Sequence, residues 1–111
     1  MSYKMVAFLA KREGLSMEEF VDYYERRHVP LVLSLPEKPN SYVRNYIETS
    51  DNDMGFDVVS ELRFEDEDAF KRWIAAMFAP NSGIPEDEDQ FLDRRHTRSH
   101  VVREYPTRCV E

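Results

Sequence analysis

Four short strand patterns and two helical patterns follow one another in an order that few small folds accommodate. The first strand is followed by a helix, the next two strands are adjacent, and a second helix precedes the last strand. This βαββαβ order predicts a ferredoxin-like α+β domain, in which two helices cover one face of a four-stranded antiparallel sheet. The predicted strands are Lys4–Ala10, Tyr42–Thr49, Asp57–Phe64 and Ser99–Tyr105.

The strand patterns differ in the spacing of their apolar residues. The first segment is almost continuously apolar, which predicts a strand buried on both faces. The second and third alternate, as half-buried strands do. In strand two, an aromatic and charged face is made of Tyr42, Arg44, Tyr46 and Glu48. In strand three, Asp57, Val59, Glu61 and Arg63 oppose Val58, Ser60, Leu62 and Phe64.

Helix one carries both a start signal and a break signal. Ser16 is followed three residues later by Glu19, a capping box that satisfies free backbone N–H groups and predicts a helix from Met17. Pro30 lacks an N–H and crowds the preceding turn. The helix is therefore expected to bend or restart near His28.

Helix two is the most regular amphipathic stretch of the chain. Asp66 is a suitable N-cap, and apolar residues follow at i, i+3, i+4, i+7 and i+8. The segment 80–85 closes this helix, and Glu86–Asp93 is expected to form one or two short helical turns. The apolar residues are Phe70, Trp73, Ile74, Met77 and Phe78, and Trp73 is interpreted as core.

Composition favours a single domain over residues 1–111. Apolar residues make up 41% of the 111 residues, and no repeat or glycine-rich linker interrupts them. The net charge of −7 opposes binding to nucleic acid or to an anionic membrane. The acidic clusters Glu65–Asp68 and Glu86–Asp89 are interpreted as helix starts and solvated turns.

The sequence carries no cofactor or membrane signal. No segment approaches the ~20 apolar residues of a membrane span, and we expect a cytoplasmic protein. Cys109 is the single cysteine, so neither an internal disulfide nor a zinc motif is expected. The three glycines are isolated and form no phosphate or dinucleotide loop. We therefore expect neither a metal nor a cofactor.

The predicted sheet has one face that the two helices leave bare. On the strand patterns, this face would expose Tyr42, Tyr46 and part of strand one to water. Two copies that pair their sheets face to face would cover it. The sequence thus predicts a homodimer, a dimeric α+β barrel that encloses a pocket.

Ionisable residues of strands two and three are the candidates for chemistry. Enclosed by dimer closure, they would line a pocket together with the histidine at the helix bend. Carboxylates and an imidazole in an apolar pocket have shifted pKa values, which acid–base chemistry on a carbonyl-rich ligand requires. The predicted set is Arg44, Tyr46, Glu48, Asp57, Glu61, His100 and His28, with His28 as the general acid or base.

Each candidate also has a structural interpretation, which the sequence leaves open. His28 would then cap the end of the helix. Asp57 and Glu61 would be ordinary surface positions, with Arg44 paired to one of them. Tyr46 would simply pack in the core.

A basic run, RRHTRSH, follows the second acidic cluster and contains His96 and Arg98. A solvated loop that balances the acidic turn accounts for these charges. A lid over the pocket mouth would use the same residues. The sequence is compatible with both interpretations.

Three segments resemble the EthD-like family. KREGLSMEEFVDYYERRHVPLVLSL, at Lys11–Leu35, is similar to the first helix of that family, with its Gly-Leu-Ser start, Glu-Glu-Phe turn and His-x-Pro-Leu end. DVVSELRFEDEDAF and EDEDQFLDRRHTRSHVV are similar to its third strand and closing turn. The resemblance covers nearly the whole chain and implies the dimeric barrel fold.

The resemblance also implies a function. Fungal EthD-like members act in polyketide pathways as decarboxylases or dehydratases on aromatic precursors, which implies His28 and Asp57 as the pair to test. The hypothesis is a cofactor-independent lyase for an aromatic polyketide-type substrate. The alternatives are a non-catalytic binding or accessory protein and a cofactor-free oxygenase. The assigned residues are His28, Asp57 and Tyr46 for catalysis, and Arg44, Glu61, Tyr42, His96 and His100 for substrate binding.

Overall fold

A computed structural model of the chain describes residues 2–48 and 54–110. Its sheet has the strand order β2-β3-β1-β4, and all neighbouring strands are antiparallel. This order confirms the predicted ferredoxin-like α+β fold. The predicted end of strand two at Thr49, and residues 51–53 of the loop after it, lie outside the described residues. The strands are β1 at Tyr3–Leu9, β2 at Ser41–Tyr46, β3 at Val58–Phe64 and β4 at Arg98–Val102.

Helix one begins as predicted but is built from three pieces. The Ser16 hydroxyl accepts from the Glu19 amide, and the Glu19 carboxylate accepts from the Ser16 amide, which confirms the capping box. An α-helix, α1, spans Met17–Tyr23, a π-helical turn spans Tyr24–His28, and a second α-helix, α2, spans Val29–Leu33. The predicted break beside Pro30 is therefore a widened turn, which relieves the clash that a proline makes with the preceding turn.

The second helical region contains two helices. The first, α3, spans Glu67–Met77 and is capped by Asp66, whose carboxylate accepts from the Ala69 amide as predicted. The other, α4, spans Ile84–Phe91 and follows Gly83, which has a φ of +81°. The helical turns predicted for residues 86–93 are thus a helix that starts two residues earlier, where glycine tolerates the left-handed turn.

The prediction that β1 is buried on both faces is wrong. Met5, Ala7 and Leu9 are buried under the helices, whereas the alternate residues are partly exposed on the other face. The helices of one chain cover only one face of this sheet. A nearly continuous apolar run therefore lies half in the core and half on the open face.

The expectation that Tyr42 and Tyr46 lie on the open face is also wrong. Tyr42 is opposite Leu62 and Tyr46 is opposite Val58, and directly paired residues point to the same side of a sheet. Leu62 and Val58 are buried beneath the helices, so both tyrosines face the helices as well. β2 instead turns Val43 and Asn45 outward, and Val43 is 46% exposed.

Helices and sheet meet in an aromatic core. The Phe91 ring lies 5.8 Å from Phe20, 5.3 Å from Tyr24 and 5.2 Å from Tyr23. This cluster joins α4 to α1 and to the π-helical turn. Among the described residues, no helix has the length and hydrophobicity needed to cross a membrane.

We predict that Ser16→Ala lowers the free energy of unfolding by about 1 kcal/mol, because it removes the side-chain half of the capping box. Urea denaturation followed by circular dichroism measures the change. Ser16→Thr keeps the hydroxyl and serves as the matched control. Equal stability of the alanine and threonine variants would contradict the prediction.

Candidate active site

A cavity of about 320 Å³ lies between the helices and the sheet. This volume is at the small end of the range that binds organic ligands. Its walls are mostly apolar, with contributions from β1, β3, α2 and α3. The apolar lining includes Met5, Leu9, Val32, Leu62, Trp73, Ile74 and Met77, and the polar lining consists of Tyr24, His28, Tyr42, Ser60, Glu88, Arg94, Thr97 and Ser99.

A hydrogen-bonded group formed by Tyr23, His28 and Asp87 stands at one side of the cavity. The His28 Nδ1 atom lies 2.9 Å from one Asp87 oxygen, and the Tyr23 hydroxyl donates to the other at 2.6 Å. His28 is only 5% exposed. An Nδ1–H that donates to Asp87 leaves the Nε2 lone pair free to accept a proton. Nε2 itself makes no hydrogen bond to the described residues.

The π-helical turn brings the two donors of this group together. Tyr23 and His28 are five residues apart, a spacing that an ordinary α-helix places on different faces. The longer i→i+5 repeat of a π turn moves them toward one face. Both side chains can therefore reach the carboxylate of Asp87 on α4.

Burial favours the neutral form of the histidine. Desolvation lowers the pKa of His28 below its ordinary value of 6.5, and the Asp87 carboxylate opposes part of this shift. Burial and the hydrogen bond to Asp87 raise the pKa of Tyr23 to about 12. The group thus contains a neutral imidazole and a phenol that are both hydrogen-bonded to Asp87.

Helix α4 turns two carboxyl groups toward this region. Ile84 and Phe91 are fully buried, and Asp87 and Glu88 lie between them at i+3 and i+4 from Ile84. Their side chains are 16% and 19% exposed. The interpretation of the second acidic cluster as solvated holds for the exposed Glu86 and is wrong for these two residues. The helical spacing of Ile84 and Phe91 was the sequence signal that Asp87 and Glu88 lie toward the buried side of this helix.

Three hydroxyl groups form a second polar cluster on the cavity floor. The Tyr24 oxygen lies 2.7 Å from the Tyr42 oxygen and 2.7 Å from the Ser60 oxygen. Burial raises the pKa of Tyr24 to about 12 and raises the pKa of Tyr42 as well. The cluster is therefore protonated at neutral pH and can donate to a ligand oxygen. The sequence predicted Tyr42 as a binding residue, and Tyr42 lines the cavity.

Arg44 and Tyr46 lie beside the cavity without lining it. Arg44 forms a two-pronged ion pair with Glu25 at 2.6 and 2.9 Å, and Tyr46 donates to the same carboxylate at 2.6 Å. The hydrogen bonds from Arg44 are the main cause of the lowered pKa of Glu25. The guanidinium carbon of Arg44 is 4.9 Å from the centre of the Tyr42 ring. This arrangement supports the position of Tyr42.

Comparisons with known proteins place this geometry in a family. The model of the EthD domain matches residues 12–95. The chain belongs to the EthD family. This confirms the resemblance drawn from the sequence segments. A search of curated proteins found no match.

Solved structures share the fold of this EthD domain. An EthD family protein from Bacillus halodurans has 18% identity and a TM-score of 0.69, covering 95% of this chain and 100% of that one. SnoaB, a cofactor-independent oxygenase from Streptomyces nogalater, has 14% identity and a TM-score of 0.64, covering 96% and 95%. A dimeric ferredoxin-like protein from Thermobifida fusca has 12% identity and a TM-score of 0.59, covering 92% and 90%. At these identities, the likeness is one of fold.

Asp57 does not lie beside His28 in this EthD domain. One of its carboxylate oxygens accepts from the Lys11 amide at 2.7 Å, and its own amide donates to the Leu9 carbonyl. Asp57 therefore ties the start of β3 to the chain that leaves β1. The partner of His28 is Asp87, which sequence reasoning did not select.

The prediction that the ionisable residues share one side of the sheet is wrong. Glu61 is opposite Val6 and Val43 and points to the open face, where it pairs with Lys4 at 2.6 Å. His100 is opposite Val6 and is exposed on that same face. The alternation within each strand predicted which residues share a face. Which of the two faces lies under the helices depends on the register between strands.

His96 is an exposed loop residue rather than a cavity residue. Its Nδ1 atom lies 2.6 Å from Asp93, with which it forms a local pair. Glu48, the remaining candidate of strand two, is exposed and follows the end of β2. In the same basic run, Arg94 does line the cavity. Thr97 and Ser99 of this run line it as well, whereas His96 does not.

Trp73 is buried core, as predicted, and also a wall of the cavity. It is 3% exposed, and its indole N–H has no hydrogen-bond partner among the described residues. A buried donor without a partner costs about 1–3 kcal/mol. The regular helical spacing predicted that Trp73 is a core residue, but it gave no indication that its indole N–H is unpaired.

We predict that Asp87→Asn lowers the pKa of His28 further, because the substitution removes the one negative charge that raises it. An NMR titration of the histidine ring protons measures this pKa directly. His96 and His100 serve as internal controls, since neither has a hydrogen bond to Asp87. An unchanged or higher pKa of His28 in the variant would contradict the assignment of the pair.

Proposed function

We propose that this EthD domain is a cofactor-independent enzyme in which His28 transfers protons to and from a small aromatic ketone bound in the cavity. One observation carries the proposal: a buried imidazole has Nδ1 fixed by Asp87 and no hydrogen bond at Nε2, and it lines an apolar cavity. A histidine that served only to cap the helix would have no need of a cavity beside it. Its lowered pKa keeps it in the form that accepts a proton.

The cavity supplies the other requirement of proton abstraction next to a carbonyl. As the proton leaves, negative charge develops on the ketone oxygen, and donors fixed in a dry site stabilise it. The hydroxyl cluster of Tyr24, Tyr42 and Ser60 is protonated and already ordered by its own hydrogen bonds. The mostly apolar walls suit an aromatic ring. This supports Tyr42 as a binding residue and replaces Asp57 by Asp87 as the partner of His28.

The reaction class that we propose is that of a lyase, with loss of water or carbon dioxide from a polyketide-type substrate. Both reactions pass through an enol or enolate, which the hydroxyl donors would stabilise while His28 transfers the proton. The resemblance to fungal EthD-like decarboxylases and dehydratases supports this class.

Cofactor-independent oxygenation is the second candidate. It is favoured by the fold that the chain shares with SnoaB, since SnoaB is such an oxygenase. An oxygen electrode distinguishes the two, because only the oxygenase consumes oxygen during turnover. Ligand recovered unchanged, with no oxygen uptake, would point to an accessory binding protein.

We predict that the protein speeds the exchange of the α-protons of 1-tetralone with D2O, and that His28→Gln slows this exchange by at least ~100-fold because the base is lost. Proton NMR follows the exchange, with the rate in buffer subtracted. His96→Gln, an exposed histidine outside the cavity, is the matched control and should exchange at the wild-type rate. Normal exchange by His28→Gln would refute the proposal.

We also propose that the protein is a homodimer that pairs its open sheet faces. Val6, Phe8 and Val59 are partly exposed on this face, and the ion pair between Lys4 and Glu61 lies among them. Such a mixture of apolar and paired charged groups suits an interface. The dimeric ferredoxin-like protein from Thermobifida fusca shares this fold, which supports a dimer here.

We predict that Val59→Lys converts the dimer to a monomer, because Val59 lies on the central strand β3 and the substitution would bury a charge between the sheets. Sedimentation velocity gives the mass, and circular dichroism checks that the fold is retained. Val110→Lys, at an exposed position near the end of the chain, is the control and should remain dimeric. A monomeric wild-type protein would contradict the proposal.

A further inference from the structure

Glu88 is a mostly buried carboxyl group that the proposed role of His28 leaves unused. It follows Asp87 on α4, and it lines the same cavity as His28. Its side chain is 19% exposed, whereas Glu86 and Asp89 on the same helix are exposed. The helix therefore presents one residue to His28 and the next to the cavity.

No described residue holds Glu88 by a hydrogen bond. The nearest cation is the Arg94 Nη1 atom, at 3.6 Å. That nitrogen donates instead to the Pro85 carbonyl at 3.1 Å and to Asp89 at 3.3 Å. A carboxyl group that served to anchor Arg94 would be expected to accept from it directly. Glu88 is left with its oxygens available to a cavity ligand.

We propose that Glu88 is the general acid of this cavity, and that the reaction is the loss of water from a β-hydroxy ketone. The inference rests on the proposed role of His28 as the base. It adds a second proton-transfer group and chooses between the two lyase reactions.

The surroundings of Glu88 favour its protonated form. Burial is the main cause of its raised pKa, and the negative charges of Asp89 and Asp87 add to the effect. Arg94 acts in the opposite direction. Three further titratable groups of the cavity wall, His28, Tyr24 and Tyr42, are kept neutral by burial. The cavity thus combines a neutral base with a carboxyl group that is able to give up a proton.

Electrostatics favour dehydration over decarboxylation. A substrate carboxylate would approach the Asp87 carboxylate that holds His28, and Arg94 is engaged with Asp89 and Pro85. A neutral hydroxy ketone avoids this repulsion. A departing hydroxyl group needs a proton, which Glu88 would provide, whereas departing carbon dioxide does not.

The proposed step is balanced in protons and electrons. His28 Nε2 takes a proton from the carbon next to the ketone, and the electrons of that C–H bond form the new carbon–carbon double bond. The C–O bond at the β-carbon breaks, and the leaving oxygen takes the proton of Glu88 and departs as water. The imidazolium of His28 then returns its proton to the Glu88 carboxylate through solvent. The net change is a β-hydroxy ketone to an enone and water.

The test uses two probes on the full chain. 3-Hydroxy-1-tetralone loses water to give 1-naphthol, whose fluorescence reports elimination, while 1-tetralone reports α-proton exchange alone. Glu88→Gln should slow elimination by at least ~100-fold. A circular dichroism spectrum that matches the wild type shows that the variant is folded. Glu86→Gln, exposed on the same helix, is the control and should eliminate normally.

The outcomes separate this inference from the proposed function. Wild-type elimination by Glu88→Gln, or a wild-type protein that exchanges 1-tetralone but eliminates no water, would overturn the role of Glu88 and leave that of His28. A wild-type protein that exchanges no α-proton would overturn both. A fall in wild-type elimination at high pH that is missing in Glu88→Gln would support the acid role.

Discussion

The carboxylate of Asp87 is the interaction on which the arrangement of the site depends. It accepts from Tyr23 and lies beside His28 Nδ1, so one side chain of α4 holds two residues of the first helical region. Without it, a buried imidazole and a half-buried phenol would lack partners, which is costly in a low-dielectric interior. The stacked rings of Tyr23 and Phe91, 5.2 Å apart, pack beside this contact. Packing and polar pairing thus fix the same helix–helix contact.

The backbone of the first helical region is shaped for that contact. Pro30 cannot continue the hydrogen-bond ladder, and the chain responds with a π turn over Tyr24–His28. The turn directs His28 toward Asp87 and Tyr24 toward Tyr42 and Ser60. A break that weakens the helix therefore places side chains from one turn at both polar clusters of the cavity. π turns are often found at functional sites.

Local signals in the sequence predicted most of the fold, and tertiary contacts decided what they missed. The capping box at Ser16 and the spacing around Trp73 depend on neighbours within a few residues, and both were predicted correctly. The orientation of Tyr42 depends on its pairing with Leu62 across two strands, which alternation alone does not specify. Asp87 was missed because it lies in an acidic run, which the sequence analysis interpreted as solvated. Its position between Ile84 and Phe91 lets it reach His28, which is far away in the sequence. Of the site, only His28 and Tyr42 were found from the sequence.

Burial shifts the pKa values of His28 and Glu88 in opposite directions, and these shifts link the site to the stability of the fold. The pKa of His28 is lowered on folding, so its contribution to stability is present above its ordinary value of 6.5 and is lost as the pH falls through the folded value. The pKa of Glu88 is raised from 4.5, so its contribution is present below that value and is lost as the pH rises through the folded value. The folded protein therefore resists both the charging of His28 and the ionisation of Glu88. In the proposed reaction, the proton that His28 accepts and the proton that Glu88 gives up would leave two charges in the cavity, and both groups would become neutral again when the imidazolium returns its proton. Because burial disfavours the charged forms of His28 and Glu88, it would also favour the return of the proton from His28 to Glu88.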